Sequence, residues 1–345
     1  MIHLLDTDPR QFSEPDNYKY NHGSLSSVMI NLNNEFKKLN LFSDPDQAEW
    51  VGICDGLNVS FKYKDKKSFL ISCWEVANAL PLYHLQTARN CNQKLIGMSD
   101  QITNLWKKYG FSCETVRLGT DTEFWHPSKD KNKNQFTFIL PLATFTRSAI
   151  DLTLEAFFLA FRNNKDVILK LKDTGSTDKY INIIQKYKNL GLNIEHESNR
   201  WSMQRLRDFY SEAHVCLTLQ RAASFGLIIT ESMSCNTLNL TGNIEPFNEI
   251  VNSDVAVLLD KSDLIPISKV TDNLVNNWGF MNTYGSFEYL EEPMFYNYNI
   301  EEYANKMLYI YNNWDKFSSI DYRKHIVDNY KWEYSALKLK DILKI

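Results

Sequence analysis

Short apolar runs alternate with stretches of helical spacing along the whole chain. Trp50-Val51-Gly52-Ile53-Cys54 and Ser68-Phe69-Leu70-Ile71-Ser72 have the length and composition of buried strands. His3-Leu4-Leu5 and Lys94-Leu95-Ile96-Gly97-Met98 read as shorter ones. Between them Leu25, Val28, Met29, Leu32 and Phe36 recur at three- and four-residue steps, which predicts a helix over 24–39 that packs through one face. Helices are also predicted over 80–90 and 100–109, the second ended by Gly110, and a polar loop over 6–23.

A lysine- and asparagine-rich stretch at 128–135 interrupts this rhythm, which then restarts. Strands are predicted over 135–140, 166–171, 192–194, 214–219, 238–241 and 256–259. Helices are predicted over 148–163, 177–190, 202–213, 300–312 and 330–344. Strands that alternate with helices build parallel, doubly wound sheets. Two α/β domains are expected, with the boundary near residue 130.

Composition narrows the function classes. The chain has 345 residues, 43% hydrophobic and 23% charged, as an ordinary globular protein has. No apolar run approaches a membrane span, and the start of the chain carries no secretory pattern, so a cytoplasmic protein is expected. Six dispersed cysteines without a C-x-x-C pair read as free thiols in a reducing compartment. A net charge of -4 speaks against broad binding to nucleic acid, while peripheral membrane contact stays open. The cluster Lys129-Asp130-Lys131-Asn132-Lys133 reads as a solvated linker.

The most informative stretch runs from Ser224 to Asn236, Ser-Phe-Gly-Leu-Ile-Ile-Thr-Glu-Ser-Met-Ser-Cys-Asn. It follows the apolar run at 214–219 and reads as strand, glycine loop, helix. Such a turn aims free amide groups and the positive helix end at an anion, typically a phosphate. Glu231, about one turn into the helix, then suits hydroxyl groups beside that phosphate. A diphosphate cradle next to a hydroxyl-binding carboxylate is what a nucleotide-sugar site requires.

This stretch resembles the donor signature of retaining glycosyltransferases with two Rossmann-like domains (GT-B), in the family-four group. The family pattern is Glu, then Gly-Phe-Gly-Leu, then a second Glu eight residues after the first, then a small-Cys-Gly turn. Phe225, Gly226, Leu227, Glu231 and Cys235 match it. Ala223 stands for the first Glu, Ser224 for the first Gly and Asn236 for the closing Gly. The resemblance extends to Gly119-Thr120-Asp121-Thr122-Glu123-Phe124-Trp125-His126-Pro127, to Cys73-Trp74-Glu75 with Pro81, and to Ser99. Phe247-Asn248-Glu249-Ile250-Val251 and Tyr330-Lys331-Trp332-Glu333 are similar to two further family elements.

The resemblance implies an acceptor domain of residues 1–130 completed by a returning C-terminal helix, 328–345, and a donor domain of 131–327. It implies sugar transfer with retention and without a metal, the nucleotide sugar being substrate rather than cofactor. Arg147 occupies the first place of a loop triplet, Arg-Lys-Gly in the family, that neutralises the donor diphosphate. Ser148 replaces the Lys, and Lys172 at the next strand end is a candidate substitute for its charge. Ala223, Ser224, Phe225, Gly226, Leu227 and Glu231 are the candidate donor-binding residues, joined by Gly23 and Ser24 at the opening of the first helix. Glu75 is a candidate for acceptor binding or proton acceptance. Asp6 and Asp8 have D-x-D spacing but read as a loop. Acceptor and donor sugar are open. Two rivals share the architecture: a non-catalytic scaffold, suggested by Ala223 and Ser148, and a nucleotide-sugar epimerase.

Overall fold

The computed structural model describes residues 1–5, 24–55, 66–90, 93–141, 147–173, 178–260, 262–270 and 287–345. Its first sheet contains β1 (Ile2–Leu5), β2 (Trp50–Asp55), β3 (Lys67–Ser72), β4 (Lys94–Gly97) and β5 (Cys113–Thr115), side by side in that order and parallel throughout. Its helices are α1 (Ser24–Lys38), α2 (Leu82–Asn90) and α3 (Asp100–Lys108). Ser99 caps α3 by accepting a hydrogen bond from the Ile102 amide at 3.3 Å, and Trp106 of α3 is fully buried, its indole N–H donating to Ser72 at 2.8 Å.

The second sheet contains β6 (Phe136–Pro141), β7 (Val167–Asp173), β8 (Ile194–Ser198), β9 (Val215–Leu217), β10 (Leu238–Gly242) and β11 (Val257–Leu259). Their spatial order is β11-β10-β9-β6-β7-β8, again parallel. The helices that follow β6, β7, β8 and β9 are α4 (Ile150–Phe161), α5 (Asp178–Asn189), α6 (Met203–Glu212) and α7 (Leu227–Ser234). The chain winds outward from β6 to β8, then returns to place β9 on the other side of β6. The strand order therefore reverses between β6 and β9, and in open parallel sheets ligands bind outside the strand C-termini at such a point.

Two parts of the second half reach back to the first sheet. An antiparallel pair, β12 (Ser262–Pro266) and β13 (Met294–Tyr298), forms an arm. Asn78 donates to the Glu292 carbonyl at 2.9 Å and accepts from the Met294 amide at 2.8 Å, and the Leu82 amide donates to the Glu288 carbonyl at 2.7 Å. Ile267 and Phe295 of the arm are buried with Trp74, Val76, Ala79 and Leu80. The apolar pattern identified none of this arm. The chain ends in α8 (Ile300–Asn312), α9 (Trp314–Ser318), α10 (Tyr322–Asn329) and α11 (Trp332–Leu343), and α11 packs on α1. Lys94 donates to the Ile342 carbonyl at 2.7 Å, and Ser335 to the Arg117 carbonyl at 2.7 Å.

The helix expected over 330–344 is interrupted at its start: Lys331 is extended and bridges to Thr120, whose amide donates to the Tyr330 carbonyl at 2.7 Å. Lys131 departs from the solvated reading of its cluster. Its amine turns inward to Thr237 at 2.9 Å, and burial lowers its pKa to about 8. Cys54, Cys113, Cys216 and Cys235 are buried and Cys73 is half-buried. Cys91 lies outside the described residues. Among the described residues no helix is long and apolar enough to cross a membrane.

Candidate active site

The turn after β9 begins the site. Gly226 precedes α7 with φ 130°, a conformation that side chains disfavour. A Cβ there would lie 3.1 Å from Ile250 Cδ1 and 3.2 Å from Phe247. The first amides of α7 lie beyond the reach of its own carbonyls, so the helix presents donors and a positive end at the sheet crevice. Ala223 and Phe225 do not face outward. Each is 3% exposed and packs into the main core with Phe247 and Ile250. Ser224 is half-buried, its hydroxyl 3.4 Å from Cys73 Sγ of the first domain.

Leu227 and Glu231 line a cleft of about 290 Å³. Asn31 and Asn34 of α1, Asp121 and Trp125 of the connecting segment, and Gln204 of α6 complete its polar and aromatic surface. Among the described residues no lysine or arginine lines it, and the groups that do suit hydroxyl groups and rings. Tyr210 donates to the Glu231 carboxylate at 3.3 Å. Burial raises the Glu231 pKa to about 8, against the opposing pull of that hydrogen bond and of the Lys172 cation. The carboxyl keeps contact with the cleft, so solvent there also favours its charged form. Lys172, half-buried at the end of β7, lies 5.8 Å over the Trp201 ring, and burial lowers its pKa.

Arg147 follows β6 on the other side of the strand reversal. Its Nη1 donates to Gln220 Oε1 at 3.1 Å and to the Ala222 carbonyl at 3.4 Å, and lies 3.0 Å from Glu75 Oε1. The structure thus joins Arg147 and Glu75 across the two domains, while Lys172 and Glu231 lie near enough to interact. Ser148 is buried, and its hydroxyl has no hydrogen-bond partner among the described residues. Ala149 takes φ 48° immediately before α4. Ser24 is the first residue of α1, and Gly23, Asp6 and Asp8 lie outside the described residues.

Sequence reasoning missed the residues that fix these loops. Arg221 makes a two-pronged ion pair with Asp151 at 2.8 and 2.5 Å, tying the turn after β9 to α4. The Tyr298 hydroxyl of the arm donates to the Gln220 carbonyl at 2.5 Å, and the Tyr296 amide to the Arg221 carbonyl at 2.9 Å. An arginine directly after a buried strand was the available signal. Glu249 accepts from the amides of Asp100 at 2.9 Å and Gln101 at 3.1 Å, so a carboxylate of the second domain sits on the N-terminus of α3.

Residues 121–287 match the family model for glycosyl transferases group 1. This region resembles the group 1 glycosyltransferases. The matched region contains the strand reversal, Arg147, Lys172 and the whole turn from Ala223 to Glu231. No curated protein matches the chain. Solved structures share its fold at low identity. A glycosyltransferase from Rickettsia africae has 14% identity and a TM-score of 0.62 over 94% of this chain and 82% of its own. A pneumococcal O-GlcNAc transferase, solved with UDP and GlcNAc, has 14% identity and a TM-score of 0.59 over 92% of this chain, which spans 60% of that protein. An Anabaena protein, HepE, solved with UDP and glucose, has 12% identity and a TM-score of 0.61 over 93% of this chain and 83% of its own. Both sheets take part, and the fold is the two-domain GT-B arrangement of glycosyltransferases.

Proposed function

We propose that the chain transfers a sugar from a nucleotide-sugar donor, with retention of configuration and without a metal. The carrying observation is that Arg147 is held on the turn after β9, through Gln220 and the Ala222 carbonyl, and that the helix begun by that turn carries Glu231 into a cleft. A donor needs both environments, one for its diphosphate and one for its ribose hydroxyls. The match to the group 1 glycosyltransferases and the two UDP-and-sugar structures support the same reading.

In this reading the diphosphate lies against Arg147 and the amides of α7. As the bond from sugar carbon to phosphate oxygen breaks, charge collects on that oxygen. Arg147, Lys172 and the helix start hold it in place without moving, which lowers the barrier. Glu231 hydrogen-bonds the ribose hydroxyls. The first domain faces the acceptor. Ala223 and Ser148 favour a binding scaffold as the second reading, since the family resemblance has a glutamate and a lysine in their places.

The deciding experiment incubates the purified protein with a panel of nucleotide sugars and follows nucleoside diphosphate release and retained nucleotide by mass spectrometry. Release on one donor, surviving EDTA, is the expected result. Retention of a nucleotide sugar with no release on any donor or acceptor mixture would favour the scaffold. Loss in EDTA with recovery in manganese would end the metal-free part of the proposal.

A further inference from the structure

The contact between Glu75 and Arg147 has an unusual position. Glu75 follows β3 in the first domain, whereas Arg147, Gln220 and Ala222 belong to the second. The carboxylate and guanidinium are 3.0 Å apart with side chains only 18% and 12% exposed. Beside them Cys73 and Ser224 touch at 3.4 Å, so the end of β3 meets the turn after β9 directly. That turn is short of acids. Residues 218–226 read Thr-Leu-Gln-Arg-Ala-Ala-Ser-Phe-Gly, and Ala223 is packed into the core.

We propose that the Glu75–Arg147 pair is a latch opened by the donor's diphosphate, and that the released Glu75 carboxylate then accepts hydrogen bonds from hydroxyls of the transferred sugar. The inference rests on the nucleotide-sugar reading. Its electrostatics are simple. A diphosphate brings more charge to Arg147 than one carboxylate does, and it repels a carboxylate held at the same cation. Glu75 must therefore leave Arg147 when phosphate arrives. It is carried by the first domain, just after β3, so it leaves toward the space on that domain's side. The sugar attached to that phosphate occupies the same space. Glu75 thereby brings from the first domain the carboxylate that the turn after β9 does not contain. The donor-free pair also keeps Arg147 neutralised and the domains joined, which makes donor the first substrate to bind.

The test compares wild type with Glu75→Gln, a change of charge at nearly constant shape. Three probes are titrated calorimetrically: inorganic pyrophosphate, a panel of nucleoside diphosphates, and the matching nucleotide sugars. The latch predicts that the variant binds pyrophosphate and the diphosphate of the preferred nucleotide about tenfold more tightly, since a charged competitor is gone. The sugar contact predicts that the nucleotide sugar gains none of this, so its affinity relative to the diphosphate falls about tenfold. A merely structural ion pair would leave anion affinity equal or weaker in the variant, and that result overturns the latch. An unchanged ratio of nucleotide sugar to diphosphate overturns the sugar contact. Tighter pyrophosphate binding without binding of any nucleotide refutes the nucleotide-sugar reading and leaves the latch standing. No pyrophosphate binding by either protein overturns both.

Discussion

Glu231 shows how much a single side chain can combine. Its place one turn inside a helix was legible because the glycine, the apolar spacing and the carboxylate all lie within eight residues. Its environment was not, because Tyr210 and Lys172 approach from elements far away in sequence. Burial raises its pKa from 4.5 to about 8. Between those values the folded state keeps a proton that the unfolded state has released. The contribution of Glu231 to stability is therefore greatest below pH 4.5, falls as pH rises and is exhausted above about 8. Glu231→Gln removes that decline, so urea midpoints at pH 5 and pH 9 should diverge from wild type, with the variant relatively more stable at pH 9 by at least about 1 kcal/mol. Parallel pH profiles would show that the carboxyl is not held neutral by the fold. Nucleotide binding moves the other way, because Gln accepts hydroxyl hydrogen bonds less strongly: affinity should drop by about 1–3 kcal/mol. Arg147→Ala should lower turnover more than affinity for the free nucleoside, as its charge meets phosphate only. Steady-state kinetics beside nucleoside titration reads this, and equal losses would remove Arg147 from the phosphate. At Ala149 the sequence is silent. Alanine does not announce a φ of 48°, and only the family comparison, with glycine in that place, points to a left-handed turn.

Regular elements were the most legible level. The periodicities locate α1, α4 and α8 and, β5 and β8 apart, both runs of parallel strands to within about two residues, as expected for boundaries; β8 is Ile194–Ser198 where a strand over 192–194 is expected. Misses occur where tertiary partners overrule local pattern. β5 has three residues and presents an exposed Glu114, so it offers no apolar run. β12 and β13 pair across some thirty residues, β12 ends in a proline, and neither alternates cleanly. The interruption before α11 arises because Thr120 captures Lys331 in extended form. Gly226 marks the opposite case, where the residue type declared the geometry. Gly226→Ala combines a disfavoured φ with contacts of 3.1 and 3.2 Å on Ile250 and Phe247. It should cost about 1–3 kcal/mol in urea unfolding and tilt the start of α7. Gly110→Ala is the control: φ is 83° but nothing lies within 4 Å of an added Cβ, so only the backbone cost remains, about 1 kcal/mol. Equal costs at both glycines would show that Ile250 and Phe247 yield freely.

At the scale of the whole molecule, the two sheets are joined by more than a hinge. The arm, α11 and Glu249 each reach from the second half to the first, and one continuous core includes Ile2 and Phe138 alike. The sequence pattern foretold two sheets, and the family resemblance the returning helix, but pattern alone carries no information about cross-domain straps. Asn78→Ala removes both hydrogen bonds that hold the arm at Glu292 and Met294. About 1–3 kcal/mol of local stability should be lost, visible as faster amide exchange over 294–298. Unchanged exchange would mean that the buried Phe295 holds the arm alone. The return of α11 has a consequence during synthesis. Its partner face on α1 is made some three hundred residues earlier, and the Cβ-free Gly119, 2.2 Å in its alanine form from the Trp332 amide, is shaped for that late arrival. While the ribosome is still translating, at about 5–20 residues per second, that face of α1 waits uncovered. That face of the first half thus stays open until residues 332–343 emerge to close it.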